Sequence, residues 1–189
     1  MNLNIKNKGY TLIELLLVVG LLAISVGVTS DILLSIVRSY SKTQVMNELE
    51  QQANFVGLKI EKELRNAETA AIVSGGTWQG IRITPRGSTG QYVCYRVRNL
   101  GSTTSFIDRS ASTNDATCAS GTFVAVTSTG IGNVTTSCTL SGSNCFQVTS
   151  GTPTIVNIGI KFTQGQVTTT ANFKGDVEIT NTIVIRETY

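Results

Sequence analysis

The residues with the clearest chemical potential lie near the start of the chain. Glu14 is the single charged side chain in the apolar run from Tyr10 to Ser30. A carboxylate in an apolar helix opposes membrane insertion, so its presence calls for a cationic partner at the same depth. Cleavage after Gly9 would create that partner, because the new α-amino group would belong to Tyr10. These residues therefore indicate ion pairing between packed helices as the chemistry of this segment.

The composition argues against catalysis. The 189 residues include no histidine, which removes Ser-His-Asp and Cys-His nucleophile systems, histidine-ligated metals and the usual general base near neutral pH. The formal net charge is +3, and Lys6 and Lys8 precede the apolar run, so the remainder is nearly neutral and charge alone predicts no nucleic-acid surface. We therefore expect a non-enzymatic protein without a cofactor.

Arginines and acidic side chains in the second half suggest two weaker sites. A group of arginines could form a patch for DNA or an acidic partner, but the low overall charge favours a solvated sheet face. These arginines are Arg82, Arg86, Arg96, Arg98 and Arg109. Asp108, Asn114 and Asp115 could hold calcium, yet the spacing is unlike an EF-hand and favours an ordinary turn.

All four cysteines follow residue 90, which fits a loop-rich β domain in an oxidising compartment. Three disulfide connectivities are possible. The loop-forming segments between the cysteines favour Cys94 with Cys118 and Cys138 with Cys145. Zinc is the alternative, but no Cys-x-x-Cys spacing occurs, so we predict no metal site.

The apolar run has two possible uses. It has roughly the length of about 20 residues that a helix needs to cross a bilayer, and Lys6 and Lys8 would hold its start on the cytoplasmic side. It could be an ordinary signal peptide, cut after residue 27 so that the mature chain begins at Val28. It could instead be a lasting transmembrane helix. Glu14 favours the second use, because a signal peptide gains nothing from a carboxylate.

Residues 8–19, Lys-Gly-Tyr-Thr-Leu-Ile-Glu-Leu-Leu-Leu-Val-Val, closely resemble the N-terminal signature of type IV prepilins and type II secretion pseudopilins. The resemblance implies cleavage between Gly9 and Tyr10 by a prepilin peptidase, N-methylation of Tyr10, and use of Glu14 in assembly. Tyr10 replaces the commoner phenylalanine and keeps the aromatic ring. The family also implies other pilin or pseudopilin subunits as partners, and an inner-membrane platform protein with an assembly ATPase.

The resemblance implies a location and a role. The precursor would be a single-pass protein of the cytoplasmic membrane with its head outside the cytoplasm, later extracted into a pilus or pseudopilus fibre. The absence of proline before Pro85, and the helix end at residues 61–67, resemble minor pilins and J-type pseudopilins, which help to start or cap a fibre. A major pilin is the alternative within the family. A secreted or membrane-tethered binding or adhesive domain with an ordinary signal peptide is the alternative from another class.

Hydrophobic periodicity predicts one helix from about Thr11 to about Arg65. Apolar residues recur every three or four positions in its second half, which places them on one face. They are Val45, Leu49, Ala53, Val56, Ile60 and Leu64. Lys59 with Glu63, and Glu61 with Arg65, are i,i+4 pairs that would support the exposed sides.

The chain therefore divides into a leader (1–9), a transmembrane and polymerisation half-helix (10–30), an amphipathic half-helix (31–68) and a β-rich head (69–189). The fold class is α+β, a long helix packed on an antiparallel sheet. Alternating segments predict six strands. They lie near Gly80–Thr84, Gln91–Arg98, Thr122–Thr127, Asn144–Thr149, Thr154–Thr163 and Val177–Arg186.

Alternation also assigns faces to the predicted strand Gln91–Arg98. Val93, Tyr95 and Val97 would point inward, towards the helix. The outward residues would be Tyr92, Cys94, Arg96 and Arg98. Cys94 would then face away from the core and tie down a polar loop running from Asn99 to Gly121.

Overall fold

The computed structural model describes residues 11–102, 104–127, 134–164 and 175–186. The chain forms two compact units, Met1–Ser41 and Lys42–Tyr189. One helix, α1 (Leu12–Arg65), belongs to both units. The sequence predicted this helix with nearly the same ends. The four-part functional division stays a prediction, and its leader, residues 1–9, lies outside the described residues.

In the first unit, every described side chain from residue 11 to residue 40 is exposed. Helical backbone nevertheless suits this segment, because it is rich in leucine and contains no proline. The first unit therefore supplies a regular helix whose whole circumference is available to a membrane or to partners.

In the second unit, α1 buries one face. The buried side chains are Leu49, Ala53, Val56, Ile60 and Leu64, and Val45 packs against them at the edge of the core. This is the stripe that the sequence predicted. Because its members recur at three or four residues, they share one side of the helix and meet the sheets together.

Nine strands follow α1 in the described ranges. They are β1 (Ala67–Gly75), β2 (Trp78–Pro85), β3 (Tyr92–Arg98), β4 (Phe106–Thr113), β5 (Val124–Ala125), β6 (Val134–Cys138), β7 (Phe146–Thr149), β8 (Thr154–Gln164) and β9 (Asp176–Ile185). One antiparallel sheet has the order β1-β2-β3-β4-β5. In the other, β8 pairs antiparallel with β6, β7 and β9. A single hydrophobic core joins α1 to both sheets, so the α+β prediction is confirmed.

Each of the six predicted strands overlaps an observed one, but β1, β4 and β6 were not predicted. β1 was assigned to the break after the helix, whereas it pairs with β2 across a tight turn that brings Gly75 opposite Trp78. The predicted loop from Asn99 to Gly121 is wrong, because it contains β4. The sequence of β4 looks polar because it includes Asp108 and Ser110. Both side chains are nevertheless buried in the structure.

The predicted faces of β3 are half correct. Val93, Tyr95 and Val97 are buried as expected. Cys94 and Arg96, predicted to point outward, are buried too, with 0% and 5% of their surface exposed. Arg96 donates to two carbonyls of the segment after β4, which shows that this segment lies on the second face. β3 is therefore enclosed on both sides, which alternation alone does not predict.

Candidate functional site

The candidate site is the apolar surface of α1, defined here as the side chains of residues 12–37. Its large apolar residues are between about half and four-fifths exposed, with Val18 the lowest at 49% and Leu12 the highest at 80%. By length and composition this part of α1 is able to cross a membrane. An apolar area of this extent on a folded protein marks a surface for lipid or for another protein.

Glu14 lies in the first turn of α1, where Thr11 caps the helix. The Glu14 amide donates to the carbonyl of Thr11 at 3.1 Å and to its side-chain oxygen at 3.4 Å. Thr-x-x-Glu is the capping-box pattern, and a carboxylate in the first turn also complements the helix dipole. The Glu14 side chain is exposed. The helix start therefore tolerates this carboxylate and leaves it open to a cation from outside.

The hydroxyl groups of the apolar surface are satisfied within the helix. Ser25, Thr29 and Ser30 each donate to the carbonyl oxygen four residues earlier, at 2.9, 2.6 and 2.8 Å. In a bilayer every polar group must find its partner inside the protein, and this pattern meets the requirement without neighbours. These polar residues therefore do not argue against a membrane-spanning role.

Four of the residues predicted from sequence lie outside the described residues. Lys6 and Lys8, predicted to set the topology, and Gly9 and Tyr10, predicted to flank the cleavage point, are in this group. Their roles stay predictions. Of the predicted assembly residues, the structure places Glu14 alone, at the start of the exposed helix.

The structure links the cysteines as Cys94–Cys118 and Cys138–Cys145, the pairs that the sequence favoured. The Cα atoms are 5.9 Å and 4.3 Å apart, respectively. The first bond ties the segment after β4 to β3, and the second closes a short loop between β6 and β7. Both lie in the second unit, which they stabilise.

Each of the five arginines has a partner within the chain. Arg82 donates to the carbonyl of Ala116, and Arg86 donates to the carbonyls of Ala67 and Arg186. The other three pair with carboxylates: Arg96 and Arg98 with Asp108, and Arg109 with Glu63. Three of the five positive charges are therefore paired with carboxylates of the same chain. The solvated-face interpretation is wrong for Arg96, which is buried.

Arg96 is a structural residue that the sequence did not identify. Its Nε and Nη2 atoms donate to the two carboxylate oxygens of Asp108 at 3.0 and 2.8 Å. Its Nη1 atom donates to the carbonyls of Cys118 and Ala119 at 3.0 and 3.3 Å. The guanidinium also lies 3.2 Å from the centre of the Phe123 ring. Arg96 therefore anchors the disulfide-tied segment to the sheet.

The proposed calcium ligands serve the protein itself. Asp108 pairs with Arg96. The Asp115 carboxylate accepts hydrogen bonds from the backbone and hydroxyl groups of Thr117 and Ser120, at 2.6 to 2.8 Å. These bonds, the Thr117 hydroxyl first, hold the pKa of Asp115 well below its usual range. The described ranges contain no group of three His, Cys, Asp or Glu side chains suited to a metal.

Ion pairs along the second half of α1 differ in part from the prediction. Glu61 and Arg65 form the expected pair at 2.6 Å, and the Arg65 hydrogen bond lowers the pKa of Glu61. Glu63 pairs with Arg109 at 2.5 Å and not with Lys59. A strand brings Arg109 over the helix, and tertiary contacts of this kind outweigh a weak pair on one helix face.

Tyr95 completes this cluster on β3. Its hydroxyl oxygen accepts from Arg109 at 3.1 Å. Burial, and then the negative charge of Glu63, raise the pKa of Tyr95 far above its usual value. The phenol therefore stays neutral and acts as a packing and hydrogen-bonding group.

Comparison with known families matches residues 4–30 to the prokaryotic N-terminal methylation motif, which is the prepilin-type motif. Comparison with curated proteins and with solved structures gives no match. The motif implies cleavage by a prepilin peptidase and assembly with other pilin subunits, and its family is structural. It supports a type IV pilin or pseudopilin subunit, and with the apolar helix it fits a membrane-anchored precursor that later enters a fibre.

Proposed function

We propose that the chain is a structural subunit of a type IV pilus or a type II secretion-like fibre. The precursor inserts with Lys6 and Lys8 in the cytoplasm, is cut between Gly9 and Tyr10, and is N-methylated on Tyr10. One observation carries this proposal: an exposed, internally satisfied apolar helix begins at Leu12, within the matched motif, and holds an exposed carboxylate, Glu14, in its first turn.

Glu14 supplies the assembly charge. In the bilayer its carboxylate opposes insertion, less so near the interface than at mid-helix. In the fibre it pairs with the α-amino group of Tyr10 of a neighbouring subunit, which exists only after cleavage. Apolar side chains lose little on leaving lipid for other helices, because both surroundings are apolar. The ion pair therefore gives the fibre an advantage that the membrane lacks.

Extraction of the helix requires partners outside this chain. We propose that an inner-membrane platform protein, driven by an assembly ATPase, moves the mature subunit from the membrane into the fibre. The head has its own core and its own disulfides, so it enters the fibre already folded.

The position in the fibre is the finer part of the proposal. We place the chain among the minor pilins or J-type pseudopilins, which start or cap a fibre. Support comes from the uninterrupted helix, since α1 runs from Leu12 to Arg65 without proline. A major pilin is the second candidate. Labelling along purified fibres separates the two: signal at one end indicates a minor subunit, and signal along the length a major one.

The decisive experiment compares Glu14→Ala with Glu50→Ala, a matched change of an exposed carboxylate elsewhere on α1. We expect both variants to be cleaved, and we expect Glu14→Ala alone to lose about tenfold or more of its fibre-incorporated protein, the effect of losing an interaction of about 1.4 kcal/mol or more. Unchanged incorporation of Glu14→Ala would contradict the pairing role.

Mass spectrometry of the mature N-terminus tests the proposed cleavage and methylation. Methylated Tyr10 at the N-terminus supports the proposal, whereas a start at Val28 supports the secreted or tethered binding domain.

A further inference from the structure

A groove in the second unit lies between α1 and the β4–β5 side of the five-stranded sheet. Its volume is about 620 Å³, within the range of about 300 to 1,000 Å³ that is usual for ligand sites. Phe55 of α1 and Val124 of β5 both line it, with 55% and 66% of their surfaces exposed. The helix side and the sheet side of the groove are therefore both apolar and open to solvent.

The groove is also cationic. Its described lining includes Lys59 and Arg109 and no carboxylate. Arg109 pairs with Glu63, whereas Lys59 takes part in none of the ion pairs within the described ranges. The Lys59 ammonium lies 5.3 Å from the centre of the Phe55 ring, so the charge is held beside an apolar wall. This arrangement favours a ligand that carries a carboxylate next to apolar groups.

The sheet ends at this groove. β5 is the last strand in the order of its sheet. The Val126 amide donates to the carbonyl of Ile107 on β4 at 2.8 Å, and Ala125 lies opposite Asp108. Backbone groups of successive residues alternate in direction, so the N–H and C=O groups of Ala125 point away from β4, towards the open edge. An edge of this kind is a template for pairing with a further strand.

The edge and the groove suit one and the same ligand. A strand added beside β5 would lie about 4.8 Å from it, and alternate side chains of that strand would point to the side of the sheet where Val124 lines the groove. Apolar side chains two residues apart from a central carboxylate would meet Phe55 and Val124. The carboxylate between them would then lie within reach of Lys59.

We propose that this groove binds an extended segment of a partner protein, which adds as a strand beside β5 and places an acidic side chain on Lys59. Backbone bonds to Ala125 supply affinity, and the apolar and acidic side chains supply specificity, as in other cases of strand addition. The free strand edge favours a peptide over a nucleic acid, which would use the cations alone. The inference concerns the second unit, so it does not rest on the proposed fibre function.

Binding of a designed peptide to the full chain in detergent micelles tests the charge. The fluorescein-labelled probe is Thr-Val-Thr-Glu-Thr-Val-Thr, which as a strand sets its two valines and its glutamate on one side. Fluorescence anisotropy should show binding to the wild type and a loss of about tenfold or more in affinity for Lys59→Glu. Lys42→Glu changes an exposed lysine of α1 outside the groove lining and should alter affinity by less than about twofold.

A second probe, with lysine in place of the glutamate, should bind Lys59→Glu better than it binds the wild type. Failure of the first probe to bind the wild type would overturn the proposal, as would equal losses in Lys59→Glu and Lys42→Glu. A labelled oligothymidylate of about 12 nucleotides is measured at the same salt concentration. If it binds more tightly than the peptide and loses affinity in Lys59→Glu, the groove is a nucleic-acid site and the proposal is wrong.

Ala125→Pro tests the strand edge. Proline removes the outward N–H and leaves the Val126 bond to β4 in place, which edge strands tolerate. We expect a loss of about tenfold or more in peptide affinity, whereas Ala125→Val should bind like the wild type. Urea unfolding followed by Trp78 fluorescence checks that both variants fold. Amide exchange at Ala125 covers the case in which the proline variant unfolds: saturating peptide should slow it in the wild type. Wild-type affinity in a folded Ala125→Pro, or unchanged exchange, would overturn strand addition.

Discussion

Replacing Arg96 with methionine would remove a buried cation while keeping much of the side-chain volume. In the wild type, the side chains of Arg96 and Asp108 are 6% and 3% exposed and are joined at 2.8 Å. In the variant, Asp108 would stay buried, and Arg98 would be its remaining ion-pair partner among the described residues. The Arg98 side chain is 47% exposed and lies 3.7 Å from the Asp108 carboxylate. Breaking a buried pair from one side costs about 3 to 5 kcal/mol.

Loss of the other contacts of Arg96 adds to this cost, and methionine offsets a small part of it. The hydrogen bonds to the carbonyls of Cys118 and Ala119 would be lost, at about 1 kcal/mol each. Methionine would recover some of the contact with Phe123, because its sulfur packs well against aromatic rings. We therefore expect a loss of about 5 kcal/mol, which at a urea dependence of about 2 kcal/mol per molar lowers the unfolding midpoint by about 2.5 M.

The assay is urea unfolding of the full chain in detergent micelles, followed by tryptophan fluorescence. Trp78 is the single tryptophan, and its ring centre lies 5.4 Å from the Arg96 guanidinium, so the signal reports on this site. Arg98→Met, on the same strand, is the matched control and should shift the midpoint by less than about 0.5 M, since exposed pairs contribute about 0 to 1 kcal/mol. Adding Asp108→Asn to Arg96→Met should recover part of the loss. Equal midpoints for Arg96→Met and Arg98→Met would refute the reasoning.

Two further predictions concern the head. The pKa of Asp115 is depressed in the folded state, so its contribution to stability is present above its ordinary pKa and should be lost as pH falls below about 4. Amide exchange of residues 115–121 should rise there, and Asp115→Asn should remove that pH dependence; a wild-type profile in the variant would contradict this. Serines at Cys94 and Cys118 should cost about 1 kcal/mol more than serines at Cys138 and Cys145, since the bonds span 24 and 7 residues. Equal urea midpoints would contradict that difference.

The helix was predictable because its signals are local. The unbroken apolar run and the three-or-four spacing that follows it are features of neighbouring residues, and they place both helix ends correctly. The stripe from Leu49 to Leu64 is buried as its spacing predicts, because that spacing fixes one helix face. The long alternating strands β8 and β9 were predictable for the same reason, since period two shows which side is buried.

The head was less predictable where polar groups bury one another. β4 carries Asp108 and Arg109, which look solvent-exposed in sequence, yet each pairs with a residue distant in the chain. Arg96 and Asp108 are directly opposite each other across β3 and β4, so the pair becomes visible once that register is known. The prediction did not place the segment after β4 over the second face of β3, so it left Arg96 in solvent. Local pattern does not carry information of this kind.

The hydroxyls of Ser25, Thr29 and Ser30 have a consequence for the route between membrane and fibre. Each bond runs to the helix's own backbone and travels with the helix, so no hydrogen bond has to be exchanged when surrounding lipid is replaced by protein. For these side chains the two environments are thermodynamically nearly equivalent. The preference between them is then left to the ionised groups Glu14, Asp31 and Arg38, which find no counter-ion in a hydrocarbon layer. The hydroxyl groups therefore favour neither the membrane nor the fibre, and the charged side chains decide which of the two is more stable.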